Sequence, residues 1–380
     1  MAWTSSSSTR TGRDDGGIEL FMTADAVGGV FQYALDLAGG LAAHDVRTTL
    51  ALLGPPASEA QREVATNVPD LRLIQTGLPL DWLTDDLRSA DDAAAAVAEL
   101  ANWHGAHVVH LNAPALACAT YDVPVVAVLH SCLASWWDAV KQGELPDDFR
   151  WRTALTAHGV RCADAVVCPS AAFAASARKL YGRKPRVVHN GRTPPRAARL
   201  DHPAKLAFTA GRLWDEGKNV GVLDEAVPMM DVPLVAAGPL EGPNGANIVL
   251  PNIRTLGVIG ERELRARLEG RPIFVSAALY EPFGLAVLEA AQAGCPLVLS
   301  DIPTFRELWD GAAQFVAPDD AHGFAGTVNR LVRDPLLRAA AGTAARTRSE
   351  RYSTEAMASR MAEIYRSLRG AAAHKSGAAA

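Results

Sequence analysis

One feature limits what this chain can fold into more than any other. Short β-branched apolar runs alternate with stretches of helical period, and halfway along the chain the pattern starts again. Strands and helices in that alternation build βαβ units, and so a parallel sheet with helices on both faces. In the first half, strands are expected at Ile18–Met22, Thr48–Leu53, Leu71–Thr76, Val108–Leu111, Val125–Leu129, Ala165–Cys168 and Arg186–His189. Phe31–Ala43 and Asp91–His104 carry helical patterns between them. In the second half, strands are expected at Leu206–Ala210, Leu234–Ala237, Ile253–Leu256, Ile273–Ser276 and Leu297–Ser300. Helices are expected at Asn219–Met230, Glu261–Glu269, Leu285–Ala293 and Ala321–Arg333. The Ala-rich segments Ala93–Ala96 and Ala339–Ala345 are helix formers, not linkers. No internal sequence repeat is present.

Between the halves stands Gly191-Arg192-Thr193-Pro194-Pro195. A glycine followed by two prolines interrupts sheet and helix alike, so the junction is placed there. The expected fold class is α/β, with two doubly wound domains at residues 18–190 and 196–353 facing one another across a hinge at 191–195. Ligands in such sheets sit beyond the carboxyl ends of the strands, where the strand order reverses. The site is therefore expected in the cleft between the domains.

Composition narrows the partners. Of 380 residues, 49% are hydrophobic and 21% charged, which excludes a wholly disordered chain. No apolar run approaches the roughly 18 residues of a membrane span. The formal charge is −5. Residues 1–190 hold 15 basic and 21 acidic side chains, and the remainder 22 and 21. Neither half has the basic surplus of a nucleic-acid binder, and the first lacks the surplus that favours anionic lipid. The five cysteines are scattered, with no C-x-x-C pair, which argues against zinc and a disulfide framework and fits a reducing, cytoplasmic setting. Residues 1–17 have no signal-peptide core and, like 370–380, are expected to be tails.

Two motifs fall short. Gly211-Arg-Leu-Trp-Asp-Glu-Gly217-Lys218-Asn219 resembles a P-loop, but has five residues between its glycines where four are needed, and Asn219 where Ser or Thr would meet magnesium. No G-x-G-x-x-G follows a strand, which removes the main support for a dinucleotide-dependent dehydrogenase.

The most informative segment is Glu281-Pro-Phe-Gly284-Leu285-Ala-Val-Leu-Glu289, which runs on to Gly294-Cys-Pro296. Pro282 and Gly284 make a turn. A helix opens near Leu285 and stops at Gly294. The free N–H groups and positive dipole at its start form an anion site. Glu281 lies on the lip and Glu289 about one turn inside. Eight helical residues would separate the two by about 12 Å, against the roughly 5 to 9.5 Å of a hydrolytic pair. Recognition of hydroxyls suits them better, one on a sugar and one on a ribose. Taken alone, Glu289 reads as an exposed helix carboxylate.

Arg212 and Lys218 follow a strand in a glycine-rich turn, where two cations can bracket a diphosphate. Taken alone, they read as solvated loop cations. Gly28 and Gly29 join the first strand to its helix and permit close backbone approach to a ligand, or make a plain tight turn. His130 ends a strand and can hydrogen-bond a sugar or a reacting group, although a lone histidine is more often structural. Trp136 and Trp137 suit stacking on a sugar face or, for at least one of them, core packing.

With these motifs the chain resembles the retaining glycosyltransferases of family 4, which have the GT-B fold. The match runs from about Ile18 to Leu368 and includes Leu129-His130-Ser131, Ala163 to Ser170, His189-Asn190-Gly191 and the E-x7-E from Glu281 to Glu289. Two positions depart from the family pattern. Ser276-Ala277 stands where Pro-Ser is common, and Arg192 where an apolar residue is common.

The resemblance implies transfer of a glycosyl group from a nucleoside diphosphate sugar to an acceptor hydroxyl with retention, by front-face attack. It implies that Arg212 and Lys218 grip the donor diphosphate, that Glu281 holds donor-sugar hydroxyls, and that backbone amides of Phe283, Gly284 and Leu285 cap sugar and phosphate. Glu289 would take the ribose, His130 would face the reacting sugar, and Gly28 and Gly29 would line the acceptor side. A C-terminal helix, 354–369, would cross back onto the first domain. The chain has no D-x-D triplet, so metal-independent donor binding with no cofactor is expected. The rival readings are a GT-B epimerase of nucleotide sugars, a non-catalytic nucleotide-sugar-binding subunit, and a glycoside hydrolase. The base, the donor sugar and the acceptor are not encoded in any readable motif.

Overall fold

The computed structural model describes residues 17–378, apart from 81–83, 85, 142, 195–202 and 244. The strands are β1 (Ile18–Asp25), β2 (Val46–Leu53), β3 (Leu71–Gln75), β4 (Val108–Leu111), β5 (Val125–Val128), β6 (Ala165–Cys168) and β7 (Arg186–Val187), then β8 (Ala207–Ala210), β9 (Leu234–Ala237), β10 (Arg254–Thr255), β11 (Ile273–Ser276), β12 (Leu297–Ser300) and β13 (Gln314–Val316). They form two sheets, ordered β3-β2-β1-β4-β5-β6-β7 and β10-β9-β8-β11-β12-β13. Every pairing within both sheets is parallel; β1 and β2, for example, run in register from Ile18↔Val46 to Asp25↔Leu53.

Parallel strands covered on both faces read as unbroken apolar runs, which explains why the periodicity located them. Successive side chains point to opposite faces. Leu20 and Met22 pack with Leu50 and Met361 on one side of the first sheet, and Phe21 packs with Val109 and Phe173 on the other. In the second sheet Phe208 and Phe274 face Leu288 and Trp309, while Ala207 and Val275 face Leu223 and Phe324.

The last helix, Thr354–Ala378, leaves the second sheet and packs on the first. Met357, Met361 and Tyr365 enter the core beside the helix Gly29–Leu41. Contact there is close: a Cβ on Gly40 would lie 2.7 Å from that of Ala358. The helix continues past Gly370, where a tail was expected, because its end is rich in alanine, the strongest helix former. The tail expected at 1–17 lies outside the described residues except for Gly17, and so does the end of the expected hinge at Pro195.

β1 is three residues longer than its apolar run, ending at Asp25, because Thr23–Asp25 continue the pairing with β2. The periodicity missed β13 and the helices Glu59–Thr66, Leu133–Val140, Asp147–Cys162, Ala171–Tyr181 and Pro303–Trp309. Strand order reverses between β1 and β4 and again between β8 and β11. Loops at the carboxyl ends of those strands carry the site.

Candidate active site

After β8 the chain turns through Gly211 to Asn219. Asn219 takes a left-handed conformation, φ 54°, and its side-chain amide donates to the carbonyls of Ala277 and Pro318. That fixes the exit of the turn and aims Lys218 at the next loop. Lys218 Nζ lies 2.5 Å from Glu281 Oε2, with both side chains largely buried. Arg212 folds onto Asp215, Nη2 to Oδ2 2.7 Å, and more than half of its side chain stays exposed. Burial alone would raise the Asp215 carboxyl, but hydrogen bonds from Arg212 and Trp136 and the charges of Arg212 and Lys218 hold it below its ordinary value. Arg212 and Lys218 are thus gathered on one turn, each held by a carboxylate. Each keeps spare donors: Arg212 spends Nε and Nη2 on Asp215, and a Lys ammonium has three protons.

The facing loop follows β11. Backbone N–H groups of Leu279 and Tyr280 donate to the Gly217 carbonyl, which locks the two loops together. Gly284 takes φ 92° at the start of the helix Leu285–Ala293, a conformation that disfavours side chains. No side chain caps this helix, and the N–H groups of Phe283, Gly284 and Leu285 have no acceptor among the described residues. Such a helix start binds anions through its free donors and dipole. The Leu285 side chain points across the cleft: a Cβ on Gly29 would lie 3.5 Å from it. Gly28 and Gly29 are exposed there, and Asp25 Oδ1 holds the turn by accepting from the N–H groups of Val27 and Gly28.

His130 follows β5 and sits at the cleft. Its Nε2 is 2.7 Å from Asn112 Oδ1, and Nε2 of His110 is 3.0 Å from the same oxygen. Asn112 Nδ2 donates to the Thr23 carbonyl, so its oxygen faces both rings, and both carry their proton on Nε2. Tyr365 O–H donates to His110 Nδ1 at 2.6 Å, tying the crossing helix into the network. Burial, reinforced by His110, lowers His130 to about 3, and burial lowers His110 to about 4. Both rings are neutral at pH 7, and His130 Nδ1 is a hydrogen-bond acceptor.

The two tryptophans divide their tasks. Trp136 Nε1 donates across the cleft to Asp215 Oδ1 at 2.9 Å, whereas Trp137 donates to Gly143 and packs on Phe149 within its own domain. Other contacts dock the domains. Ser170 Oγ donates to the Pro282 carbonyl, and Lys141 pairs with Glu216. Glu307 accepts from the N–H groups of Ala171 and Ala172 and pairs with His189. None of Asp215, Tyr365 or Glu307 was marked by the sequence motifs. Tyr365 and Glu307 have their partners far along the chain, and so does Asp215 in its contact with Trp136, which leaves no local signature.

Glu289 is placed apart from Glu281. Its Oε1 lies 3.0 Å from Arg192 Nη2, and burial, outweighing Arg192, raises its carboxyl above the ordinary value. Glu281 and Glu289 therefore belong to two separate ion pairs, not to one acid–base couple.

The family described as Glycosyltransferase Family 4 matches residues 27–194, and that described as Glycosyl transferases group 1 matches residues 204–334. An alpha-maltose-1-phosphate synthase of Mycobacterium tuberculosis is 30% identical over 343 residues, covering 79% of this chain and 86% of that protein. The chain belongs to glycosyltransferase family 4. A glycogen synthase from the same organism is 29% identical over 320 residues, covering 78% of this chain and 72% of that one. Among solved structures, a sucrose-phosphate synthase from Thermosynechococcus elongatus superposes with a TM-score of 0.75 at 19% identity, over 93% of this chain and 100% of its own, and shares the GT-B fold. The protein is a glycosyltransferase with two α/β domains of that fold. Among the described residues no helix is long and apolar enough to cross a membrane, and no three His, Cys, Asp or Glu side chains are grouped to hold a metal ion.

Proposed function

We propose that this glycosyltransferase moves a hexosyl group from a nucleoside diphosphate sugar to a carbohydrate hydroxyl with retention of anomeric configuration. One observation carries the reading: Lys218 paired with Glu281, beside a helix start with free N–H groups, at the reversal in strand order. Arg212 and Lys218 take the diphosphate with the donors that their carboxylates leave free. Glu281, already oriented by Lys218, accepts from donor-sugar hydroxyls. The amides of Phe283, Gly284 and Leu285 cap sugar and phosphate, and Glu289 takes ribose hydroxyls. His130, neutral, accepts a hydrogen bond from the sugar at Nδ1. Gly28 and Gly29 line the acceptor side.

In the transfer, the acceptor oxygen bonds to the anomeric carbon on the face that the diphosphate leaves. The bond from that carbon to the phosphate oxygen breaks, and the acceptor proton passes to the departing oxygen. Charge grows on the diphosphate as it leaves, and the two cations and the helix start stabilise it there. Those cations supply the countercharge a metal would otherwise bring. The saccharide acceptor is supported by the relatives, named as synthases of glycogen and maltose 1-phosphate.

The test is release of nucleoside diphosphate from a panel of uridine, guanosine and adenosine diphosphate sugars with maltooligosaccharide and hexose phosphate acceptors, followed by NMR of the product. A new glycosidic bond of the donor's configuration supports the reading. An inverted bond overturns retention, and conversion of donor to its epimer without acceptor supports the epimerase instead.

A further inference from the structure

Arg192 is a buried guanidinium in the segment that links the two sheets, and three carboxylates meet it. Its Nη1 lies 2.8 Å from Asp36 Oδ2 on the helix Gly29–Leu41 of the first domain. Its Nη2 lies 3.2 Å from Glu261 Oε1 and 3.0 Å from Glu289 Oε1, both in the second domain. The backbone is fixed as well. Gln292 Nε2, one turn beyond Glu289 on the same helix, donates to the Arg192 carbonyl at 2.8 Å, and Arg192 N–H donates to Tyr352. Residue 192 is thus clipped to the donor helix twice, by main chain and by side chain.

This arrangement bears on Glu289. Burial and the nearby charges of Glu261 and Asp36 push that carboxyl up, and Arg192 opposes them. Arg192 engages Oε1, and Oε2 has no partner among the described residues. A small cavity lined by Arg192, Glu261, Leu264, Glu289 and Gln292 opens beside it. We infer that Arg192 is a positioning residue for the ribose: it holds Glu289 turned so that Oε2 accepts from a ribose hydroxyl. This rests on the reading of Glu289 as the ribose carboxylate.

The experiment compares the affinity of uridine, guanosine and adenosine diphosphates with that of their 2′-deoxy forms by calorimetric titration, using whichever base binds. Wild type is expected to favour the ribose form by about tenfold or more, the worth of a hydrogen bond to a charged group. R192M is expected to bring the ratio to within about twofold, and R192K to restore part of it. Because R192M strands three carboxylates, the comparison is repeated in D36N/E261Q, which relieves two of them. That background alone is expected to keep the wild-type ratio, and adding R192M to lose it. E289Q tests the underlying reading. If E289Q retains discrimination, Glu289 is not the ribose carboxylate and the inference falls with that reading. If E289Q loses discrimination while R192M keeps it in the D36N/E261Q background, the inference alone is overturned.

Discussion

Lys218 and Glu281 stand 63 residues apart in the chain, yet Nζ and Oε2 meet at 2.5 Å at the carboxyl ends of neighbouring strands β8 and β11. Each orients the other before any donor arrives. Removing the lysine should therefore do two kinds of harm, deleting a cation and leaving a carboxylate facing the diphosphate. K218A is expected to lower kcat/KM about 10²–10³-fold, the usual cost of a lost transition-state donor. E281Q in the K218A background should recover part of that loss, so the two effects will not add. Steady-state kinetics of the single and double variants checks this, and strict additivity would show that the pair is not a working unit.

Asn112 holds two imidazoles with one oxygen. N112A frees His130 to rotate, and kcat/KM should drop about ten- to a hundredfold from misplacement alone. Y365F removes only the donor to His110, so it should cost about 1 kcal/mol of stability with kcat nearly unchanged. Urea denaturation beside kinetics separates the two.

Acidification should act through His130 and, in the same way, through His110. Its folded value, about 4, lies below the ordinary 6.5, so between those values the unfolded chain binds the extra proton. Stability is full above pH 6.5 and falls as pH drops towards 4. H110Q should remove part of that slope between pH 6.5 and 4 in urea midpoints measured against pH, leaving the part that belongs to His130.

Glu307 provides a second acid-sensitive contact, between the domains. Burial would raise its carboxyl, but His189 and the N–H groups of Ala171 and Ala172 together bring it below the ordinary 4.5. With a lowered folded value, its contribution is present above pH 4.5 and is lost as pH falls below it. E307A should destabilise the protein at pH 7 by about 1–2 kcal/mol, the cost of a lost helix cap, and remove this part of the acid dependence. Thermal melts of wild type and E307A at pH 7 and pH 4 measure both.

Much of the fold was legible because parallel strands buried on both faces announce themselves as apolar runs. β4, β6, β9, β11 and β12 match their runs to the residue. So does the helix Leu285–Ala293, because Gly284 and Gly294 are both left-handed and mark its ends. Helix Asp147–Cys162 stayed hidden because it buries only Leu155, Gly159 and Val160 and so shows little periodicity. β13 has a single buried residue, Val316, and gives no run at all. At the site, the charged and glycine-rich loops were visible as residue types. Their pairing was not, since Trp136 with Asp215 and Arg192 with Glu289 are matched only by tertiary packing.

The most direct test of the diphosphate clasp is calorimetric titration of wild type and R212A/K218A with uridine, guanosine and adenosine diphosphates. Whichever one binds wild type should bind the double variant at least about a hundredfold more weakly, as expected for two lost charge-assisted contacts. Equal affinity in a folded double variant would contradict the placement of the diphosphate between Arg212, Lys218 and the start of the helix Leu285–Ala293.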